Sequence, residues 1–388
     1  MINKHFVSYV IMTSLTIFAM LFGAGNLMFP LRVGMESGSQ AFFGLSGFII
    51  TGVVLPLLGL LAIVAFNGNY TEFFGRLGKI PGAIMTLFCI LVIGPLVVMP
   101  RIVMLSYEML QPFLPPMSTL VFACIFLVLV FAATYKPSRL LDIIGKFLSP
   151  LKVLSIITIV ALGVYYGKIT VPSEFLPRDL FMRGIHYGYY TLDLIGALFF
   201  GSMIVSLLTR YAHKNEKTTR HSAITIASIS SLCAAVLLAG VYCGMGLLGA
   251  YHGAGLSHLN EGQIFSAISF KVLGAYGAAL IGFTVFLACF TTTVSLTAVV
   301  ADYVKHTLFH GKIRYIYAVI GVLVVTAFIA RLGLTAILHY SVPFIIATYP
   351  IFIVITICNL LYKFFNFKPI KLPVLAMIVY VVYSYFAV

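Results

Sequence analysis

The sequence is divided into long apolar runs, separated by short segments rich in charge, proline or glycine. Only 9% of its 388 residues are charged and 61% are hydrophobic, whereas about a quarter of a soluble domain is charged. Because roughly 20 consecutive apolar residues cross the hydrocarbon core of a bilayer as a helix, these runs predict an all-α polytopic membrane protein. The chain is therefore expected to lie in a lipid bilayer.

About eleven apolar runs occur, and we number them spans one to eleven. They cover residues 7–34, 41–66, 82–107, 117–134, 147–167, 184–209, 222–248, 273–304, 314–331, 334–362 and 370–387. The more polar segment between spans seven and eight, residues 252–269, is expected to hold a short helix over the outer face. The first run is too long for a signal peptide and lacks a small-residue cleavage site, so we expect it to stay as span one.

The distribution of basic residues predicts the orientation. A net charge of +14 would suit a nucleic-acid partner, but the bases lie in short clusters between apolar runs, which is typical of topology signals. With the N-terminus in the cytoplasm, the inside loops hold Lys4, Arg76, Lys79, Lys136, Arg139, Lys146, Arg210, Lys214, Lys217, Arg220, Lys305, Lys312, Arg314, Lys363, Lys368 and Lys371. The outside segments hold only Arg32, Lys168, Arg178, Arg183, Lys271 and Arg331, while Arg101 and Lys152 fall within spans. We therefore predict a cytoplasmic N-terminus and no nucleic-acid partner.

Span one contains residues that interrupt a helix. It reads FGAGNLMFP at residues 22–30, and two glycines, an asparagine and a proline so close together make poor continuous helix. Backbone groups left unpaired in hydrocarbon are costly unless they line a cavity or bind a ligand. Taken alone, this break also fits a simple kink between packed helices.

Span six contains a second interruption, at residues 188–201, where the sequence is GYYTLDLIGALFFG. Asp193 is the one acid among ten that we place well inside a span. A carboxylate at that depth costs about 2.5–3.5 kcal/mol on insertion scales, so it needs a partner or a wet cavity. A purely structural pair between this aspartate and an arginine is the alternative.

The two breaks lie five spans apart, and an odd offset reverses direction across the membrane. Interrupted helices in matching positions of two halves point to a transporter site. A half-helix that begins at a break offers N–H groups to a carboxylate, and one that ends there offers carbonyls to an ammonium or metal ion. The amides around Gly25 and Asn26 suit a carboxylate. A zwitterionic amino acid fits such a site.

Span eight carries five hydroxyl side chains within residues 291–297. Sodium is a hard ion that prefers oxygen ligands, and we assign it to Thr291 and Thr292 together with carbonyls freed in span one. For Thr293, Ser295 and Thr297 we favour bonds to their own helix or to a neighbouring one.

Arg101, deep in span three, is expected near the site, where Asp193, Glu108 and the substrate carboxylate are its candidate partners. The sequence has no enzyme or ATP-binding signature, so we predict neither an enzyme nor a cofactor.

Five stretches of the chain resemble the bacterial branched-chain amino acid:cation symporter family, the type II branched-chain amino acid carriers. They are FGAGNLMFP (22–30), IGPLVVMPR (93–101), GYYTLDLIGALFFG (188–201), LACFTTTVSLTAVVADY (287–303) and SVPFIIATYPIF (341–352). This family belongs to the amino acid–polyamine–organocation superfamily. The resemblance implies a leucine-transporter-type 5+5 inverted repeat with helices one and six unwound. The first repeat would cover residues 7–167, the second 184–362, and an additional C-terminal helix 370–387, all in one transmembrane domain over 1–388. Family members usually carry one further C-terminal helix.

The resemblance also implies site residues. Sodium would meet the carbonyls of Ala19, Phe22 and Ala288 and the hydroxyls of Thr291 and Thr292, and a second ion near Asn26 and Thr191 is a further candidate. The substrate would be bound by Gly23, Ala24, Gly25, Asn26, Arg101, Tyr190, Thr191, Asp193 and Gly196. Apolar side chains around the breaks, namely Met28, Phe29, Tyr190, Phe199 and Phe200, suit an apolar substrate.

The leading hypothesis is a symporter of the bacterial cytoplasmic membrane that imports leucine, isoleucine and valine, and also methionine, with Na⁺ by alternating access. An alternative couples to H⁺ through Asp193. An ion channel is the alternative from another class, although channels tend to use symmetric rings from several subunits. We predict no obligate protein partner.

Overall fold

The chain is almost entirely helical. The structure, a computed structural model, describes residues 4–135, 148–167, 173–214, 220–256, 258–259 and 261–386. Within these ranges the backbone forms helices and turns but no strand, which confirms the all-α prediction. Five bases of the orientation argument, Lys136, Arg139, Lys146, Lys168 and Lys217, lie outside the described ranges.

The described helices follow the predicted spans. They are α1 (Lys4–Leu21), α2 (Ala24–Ser37), α3 (Ala41–Ile49), α4 (Leu55–Ala65), α5 (Tyr70–Gly75), α6 (Lys79–Leu91), α7 (Val98–Leu110), α8 (Thr119–Thr134), α9 (Ser149–Tyr165), α10 (Pro177–Tyr190), α11 (Asp193–Lys214), α12 (Arg220–His252), α13 (Glu261–Tyr303), α14 (Tyr315–Ala330), α15 (Gly333–Phe365) and α16 (Lys371–Phe386). Span one is α1 with α2, span six is α10 with α11, and spans two and three are each two α-helices joined by a π-helical turn.

Helix length and composition support several crossings of a membrane. Among the described residues, five helical stretches are long and apolar enough to cross: Gly25–Ala65, Lys79–Phe113, Ala223–His252, Gly282–Leu308 and Gly333–Phe365. The pair α10 and α11, bent by 41° at its break, makes a sixth. Five shorter apolar helices accompany them. The chain is thus a multi-pass membrane protein, and the count of eleven spans stays a prediction.

Two boundaries differ from the sequence reading. Span six begins at Pro177 rather than near residue 184, because a proline at the first turn has a preset φ and no N–H to leave unpaired. The helix expected between spans seven and eight is the first part of α13, from Glu261 to a kink at Gly274, whose φ of +60° is accessible mainly to glycine.

Two tight helix pairs are related by the five-span offset. Helix α2 of span one packs on α12 of span seven, and α10 of span six packs on α3 of span two. A Cβ atom added to Gly34 would lie 1.8 Å from the carbonyl oxygen of Gly246, and one added to Gly184 would lie 2.0 Å from that of Gly44. Glycine thus brings the backbones together in both pairs, as small residues do in membranes. This matched packing is what an inverted repeat produces.

The contact between α2 and α12 generates a prediction. Gly34→Ala should lower the free energy of unfolding by about 1–3 kcal/mol, the usual range for overpacking, because the new methyl group meets a backbone oxygen. Thermal unfolding in detergent measures the change. The control is Gly240→Ala on α12, where an added Cβ meets no atom within 4 Å and alanine is the better helix former. Equal midpoints for the two variants would contradict the close approach.

Candidate functional site

The first break lies between α1 and α2. Helix α1 ends at Leu21 and α2 begins at Ala24, so the interruption consists of Phe22 and Gly23. Gly23 is extended, with φ −102° and ψ −165°, and its N–H donates to Oδ1 of Asn26 at 3.1 Å. The break is shorter than the sequence suggested, because Asn26 and Pro30 both lie inside α2. Through its bond to Gly23, the N-cap residue, Asn26 stabilises the first turn of that helix rather than interrupting it.

The second break lies between α10 and α11. Helix α10 ends at Tyr190 and α11 begins at Asp193. Between them, Leu192 has a φ of +60°, a left-handed conformation that costs a non-glycine residue energy and is concentrated at functional sites. The hydroxyl of Thr191 donates to the carbonyl of Gly188 at 2.8 Å and accepts from the amide of Asp193 at 3.3 Å. One threonine therefore satisfies backbone groups on both sides of the break.

The carboxylate of Asp193 is held by partners from two other spans. It is only 5% exposed. Nδ2 of Asn26 donates to its Oδ2 at 2.6 Å, and the hydroxyl of Tyr242 donates to the same oxygen at 3.1 Å. Asn26 and Tyr242 are also in hydrogen-bond contact with each other. The buried acid was expected to need a partner, and its partners are an asparagine and a tyrosine. The hydrogen bond between Asn26 and Asp193 joins the two breaks directly.

Arg101 lies beside the second break. It is 2% exposed, and its Nη1 donates to the carbonyl of Tyr190 at 2.7 Å, at the end of α10. Among the salt bridges of the described residues, none joins Arg101 to Asp193. Its Nε is buried and has no hydrogen-bond partner among the described residues. A buried N–H without a partner is costly, so this donor is suited to a substrate group.

The two breaks enclose a small cavity of about 30 Å³. Seven of the predicted substrate residues line it: Gly23, Gly25, Asn26, Arg101, Thr191, Asp193 and Gly196. The other lining residues are mostly aliphatic or aromatic: Met20, Leu21, Ile93, Val98, Ile102, Leu192, Phe200, Thr292 and Leu296. This volume has room for one or two water molecules. An amino acid therefore requires the walls to move.

A second, larger cavity of about 730 Å³ lies on the side of α2 and α10. Phe29, Tyr187 and Tyr190 line it on one side and the first part of α15 on the other. The rings of Phe29 and Tyr190 have centroids 5.8 Å apart, and Phe29 also packs against Gly25. These two aromatic rings therefore separate the larger cavity from the smaller one.

The oxygen atoms predicted to bind sodium do meet between α1 and α13. The hydroxyl of Thr291 lies 3.2 Å and that of Thr292 3.3 Å from the carbonyl oxygen of Ala19. The carbonyl oxygen of Ala288 lies 3.4 Å from the Thr291 hydroxyl, as a contact within one helix. A lysine side chain also reaches this place. Nζ of Lys152 donates to the carbonyls of Ala19 and Phe22 at 3.0 and 2.6 Å and to the hydroxyl of Thr291 at 3.0 Å.

The remaining hydroxyls of span eight behave as expected. Thr293, Ser295 and Thr297 each donate to the carbonyl four residues earlier in their own helix. Of the other predicted residues, Ala24 is described by its backbone alone and Tyr190 faces the larger cavity. Phe199 was expected near the breaks, but its ring packs against Tyr70 and Phe74 instead. Met28 lines neither cavity.

Three functional candidates escaped the sequence reading. Tyr242 lies in a glycine-rich stretch of span seven, and Tyr349, whose hydroxyl accepts from the amide of Leu194 at 3.2 Å, precedes a proline in span ten. Lys152 was placed within a span without a role. The depth of a lysine in an apolar run was the available signal, because such a residue needs partners.

Two helices broken at matching positions around a shared cavity are the arrangement of a secondary transporter of the leucine-transporter type. The chain matches the family described as "Branched-chain amino acid transport protein" over residues 7–388, and it belongs to that family. It is 33% identical to the branched-chain amino acid permease BrnQ of Bacillus subtilis (strain 168), covering 95% of this chain and 84% of the relative. It is 31% identical to the branched-chain amino acid transport system 3 carrier protein of Pseudomonas aeruginosa, covering 86% and 76%. These permeases and carriers agree with the prediction of a transporter rather than an enzyme.

Solved structures show the same fold. The nucleobase-cation-symport-1 family transporter Mhp1, in a closed conformation with bromovinylhydantoin bound, aligns with a TM-score of 0.62 at 13% identity, covering 92% of this chain and 79% of that one. A Na⁺-coupled sialic acid symporter in an outward-open state aligns with a TM-score of 0.60 at 11% identity, covering 97% and 88%. Together with the paired breaks, these likenesses confirm the leucine-transporter-type fold.

The hydrogen bonds at Asp193 generate a second prediction. Tyr242→Phe should lower the free energy of unfolding by about 1.5–3 kcal/mol, because a buried carboxylate loses a donor. Thermal unfolding in detergent measures it. Tyr315→Phe is the matched control, since the Tyr315 hydroxyl is buried without a hydrogen-bond partner among the described residues. If Tyr242→Phe were as stable as this control, Tyr242 would not hold the carboxylate.

Proposed function

We propose that this chain imports branched-chain amino acids, namely leucine, isoleucine and valine, and also methionine, by cation-coupled alternating access. The observation that carries the proposal is the cavity between the two breaks, where backbone ends and polar side chains surround a space with aliphatic walls. Membership of the family and the names of the relatives support the substrate class.

The polar groups of the cavity suit both ends of a zwitterion. A carboxylate is favoured by the amides at the start of α2 and by Nε of Arg101, which has no hydrogen-bond partner in the described part of the chain. Asp193 and the carbonyl end of α10 favour an ammonium. Asn26 and Tyr242 both donate to Oδ2 of Asp193, so we assign Oδ1 to the substrate.

The walls of the cavity suit a branched aliphatic side chain. Ile93, Val98, Ile102 and Leu296 offer apolar surface from spans three and eight. Burying each methylene of a substrate against such surface stabilises the complex by about 0.8 kcal/mol. A polar side chain would lose its hydration without gaining a partner, since the polar residues of the cavity serve the backbone end of the substrate.

The small volume of the cavity supports alternating access. An amino acid enters only when one pair of half-helices moves. The basic-residue distribution supports a cytoplasmic N-terminus in a bacterial inner membrane. With that orientation, the larger cavity beyond Phe29 and Tyr190 would face outward. These rings then separate an outer vestibule from the binding cavity.

The coupling ion has two candidates. Sodium between span one and span eight is the leading prediction from the sequence, and a proton at Asp193 is the alternative. The fold neighbours include a symporter whose name states Na⁺ coupling, but this likeness extends only to the fold.

Competition uptake tests the proposal. In proteoliposomes, uptake of labelled L-leucine should saturate, and unlabelled L-isoleucine, L-valine and L-methionine should compete with it. Charged amino acids should not compete, because the apolar walls leave a charged side chain without a partner. D-leucine should not compete, because its carboxylate, ammonium and side chain cannot all reach the groups that bind those of L-leucine. Flux that is non-saturable or insensitive to stereochemistry would indicate a channel and contradict the proposal.

A further inference from the structure

Lys152 is a buried lysine to which the proposed function assigns no role. It projects from α9, on the face that also carries the buried residues Ser155, Ile156 and Ile159. Its side chain is fully buried, at 0% exposure. None of the salt bridges found among the described residues includes it. A buried charge without an acid partner must be stabilised in another way.

Three neutral oxygen atoms surround its amino group. Nζ lies 2.6 Å from the Phe22 carbonyl oxygen, 3.0 Å from that of Ala19 and 3.0 Å from the Thr291 hydroxyl. An ammonium group has three donors, and each of them has an acceptor here. A neutral amine would have only two N–H groups for these three oxygens.

The surroundings favour positive charge. Ala19 and Phe22 lie at the C-terminal end of α1, where the helix dipole is negative and carbonyls lack intrahelical donors. The rings of Phe18 and Phe22 have centroids 5.8 and 5.5 Å from Nζ, within the range of cation–π attraction. The site is thus built for a cation, and a covalently tethered cation already lies in it.

These are three of the five oxygens that the resemblance assigns to sodium. A sodium ion between Ala19, Phe22 and Thr291 would have to occupy the position of Nζ. It would also be repelled by the positive charge of the lysine. The residues present therefore do not fit a sodium ion at this position.

We infer that the ammonium of Lys152 takes the place of the sodium ion between span one and span eight, so that transport by this chain does not require Na⁺. The inference rests on the proposed function for its transport readout. It adds Lys152 as a positioning residue that acts on the substrate cavity through the break at Phe22 and Gly23.

Counterflow in proteoliposomes tests the inference without imposing an ion gradient. Vesicles are loaded with unlabelled leucine, and labelled leucine is added outside, with sodium or choline as the only added cation on both sides. We expect the initial rates in sodium and in choline to agree within about twofold, because the ammonium of Lys152 donates to the three oxygens of the site in either medium. A rate at least about tenfold lower in choline would overturn the inference.

Variants test the role of the lysine itself. Lys152→Ala should lower counterflow in choline at least about tenfold, the change expected for losing about 1.4 kcal/mol or more of stabilisation. Lys79→Ala removes a charge at the exposed start of α6 and should leave the rate unchanged. If Lys152→Ala exchanged leucine in choline as fast as the wild type, the inference would be wrong.

Thermal unfolding with sodium as the probe separates this inference from the proposed function. A sodium ion that binds the folded state would raise the unfolding midpoint. Because we expect no sodium ion to bind, the midpoint of the wild-type protein should be the same in sodium chloride and choline chloride. A higher wild-type midpoint in sodium would overturn the inference, even when Lys152→Ala does not fold. Absence of any leucine exchange in either medium would instead refute the proposed function. The thermal unfolding measurement would still show whether sodium binds.

Discussion

The peptide group between Phe22 and Gly23 connects the cation position to the substrate cavity. Its carbonyl oxygen accepts from Lys152, and its N–H donates to Asn26. Asn26 in turn donates to Asp193 of the second break. Because a peptide group is planar and rigid, a change at its carbonyl reorients its N–H as well. A single backbone unit thus links a cation on one side to the carboxylate that joins the two broken helices.

This link is anchored by contacts that tie the half-helices together away from the cavity. On the side of α2 and α10, Glu36 accepts from Arg32 at 3.0 Å, from Arg183 at 3.2 Å and from the hydroxyl of Tyr187 at 2.7 Å. Two of these donors belong to α10, so the far end of α2 is joined to the middle and the last turn of α10. Both half-helices also lie on glycine-lined surfaces of α12 and α3. They are therefore placed to move as paired elements rather than as independent segments.

A different set of contacts lies near the end of α15. Arg76 donates through Nη1 to the carbonyl of Cys358 and through Nη2 to the carbonyls of Phe367 and Lys368, at 3.1, 3.2 and 2.9 Å. Its guanidinium stacks 3.9 Å above the ring of Tyr362. These bonds hold the segment after span two against span ten. Each end of the helix bundle thus has its own polar network, and the proposed alternating access would require that the two be loosened in turn.

The breaks and the residues around them could be predicted from the sequence, because each residue type has a local effect in a membrane helix. Glycine and asparagine weaken the helix, and an isolated aspartate needs a polar partner. Gly23, Asn26 and Asp193 could be assigned to one site because the five-span offset brings their helices together. The partners of Asp193 could not be predicted in the same way. Tyr242 and Tyr349 are two of many tyrosines in apolar runs, and only the packing of spans seven and ten selects them. A third interruption, in the π-helical turn at Gly94 and Pro95, also escaped notice, although it sets the direction of the helix that carries Arg101.

The contacts of Lys152 could not be predicted from the sequence, and the reason is physical. The carbonyls at the end of α1 favour a positive partner, and the sequence of spans one and eight predicts a sodium ion there. It does not say whether that cation is free or covalently attached, because the attached one comes from α9, more than a hundred residues away. A free ion loses translational freedom and hydration each time it binds, whereas a tethered ammonium has lost its translational freedom on folding. By the inference drawn above, the same oxygen cage would serve a sodium-driven carrier or a sodium-independent one, depending on the residue at position 152.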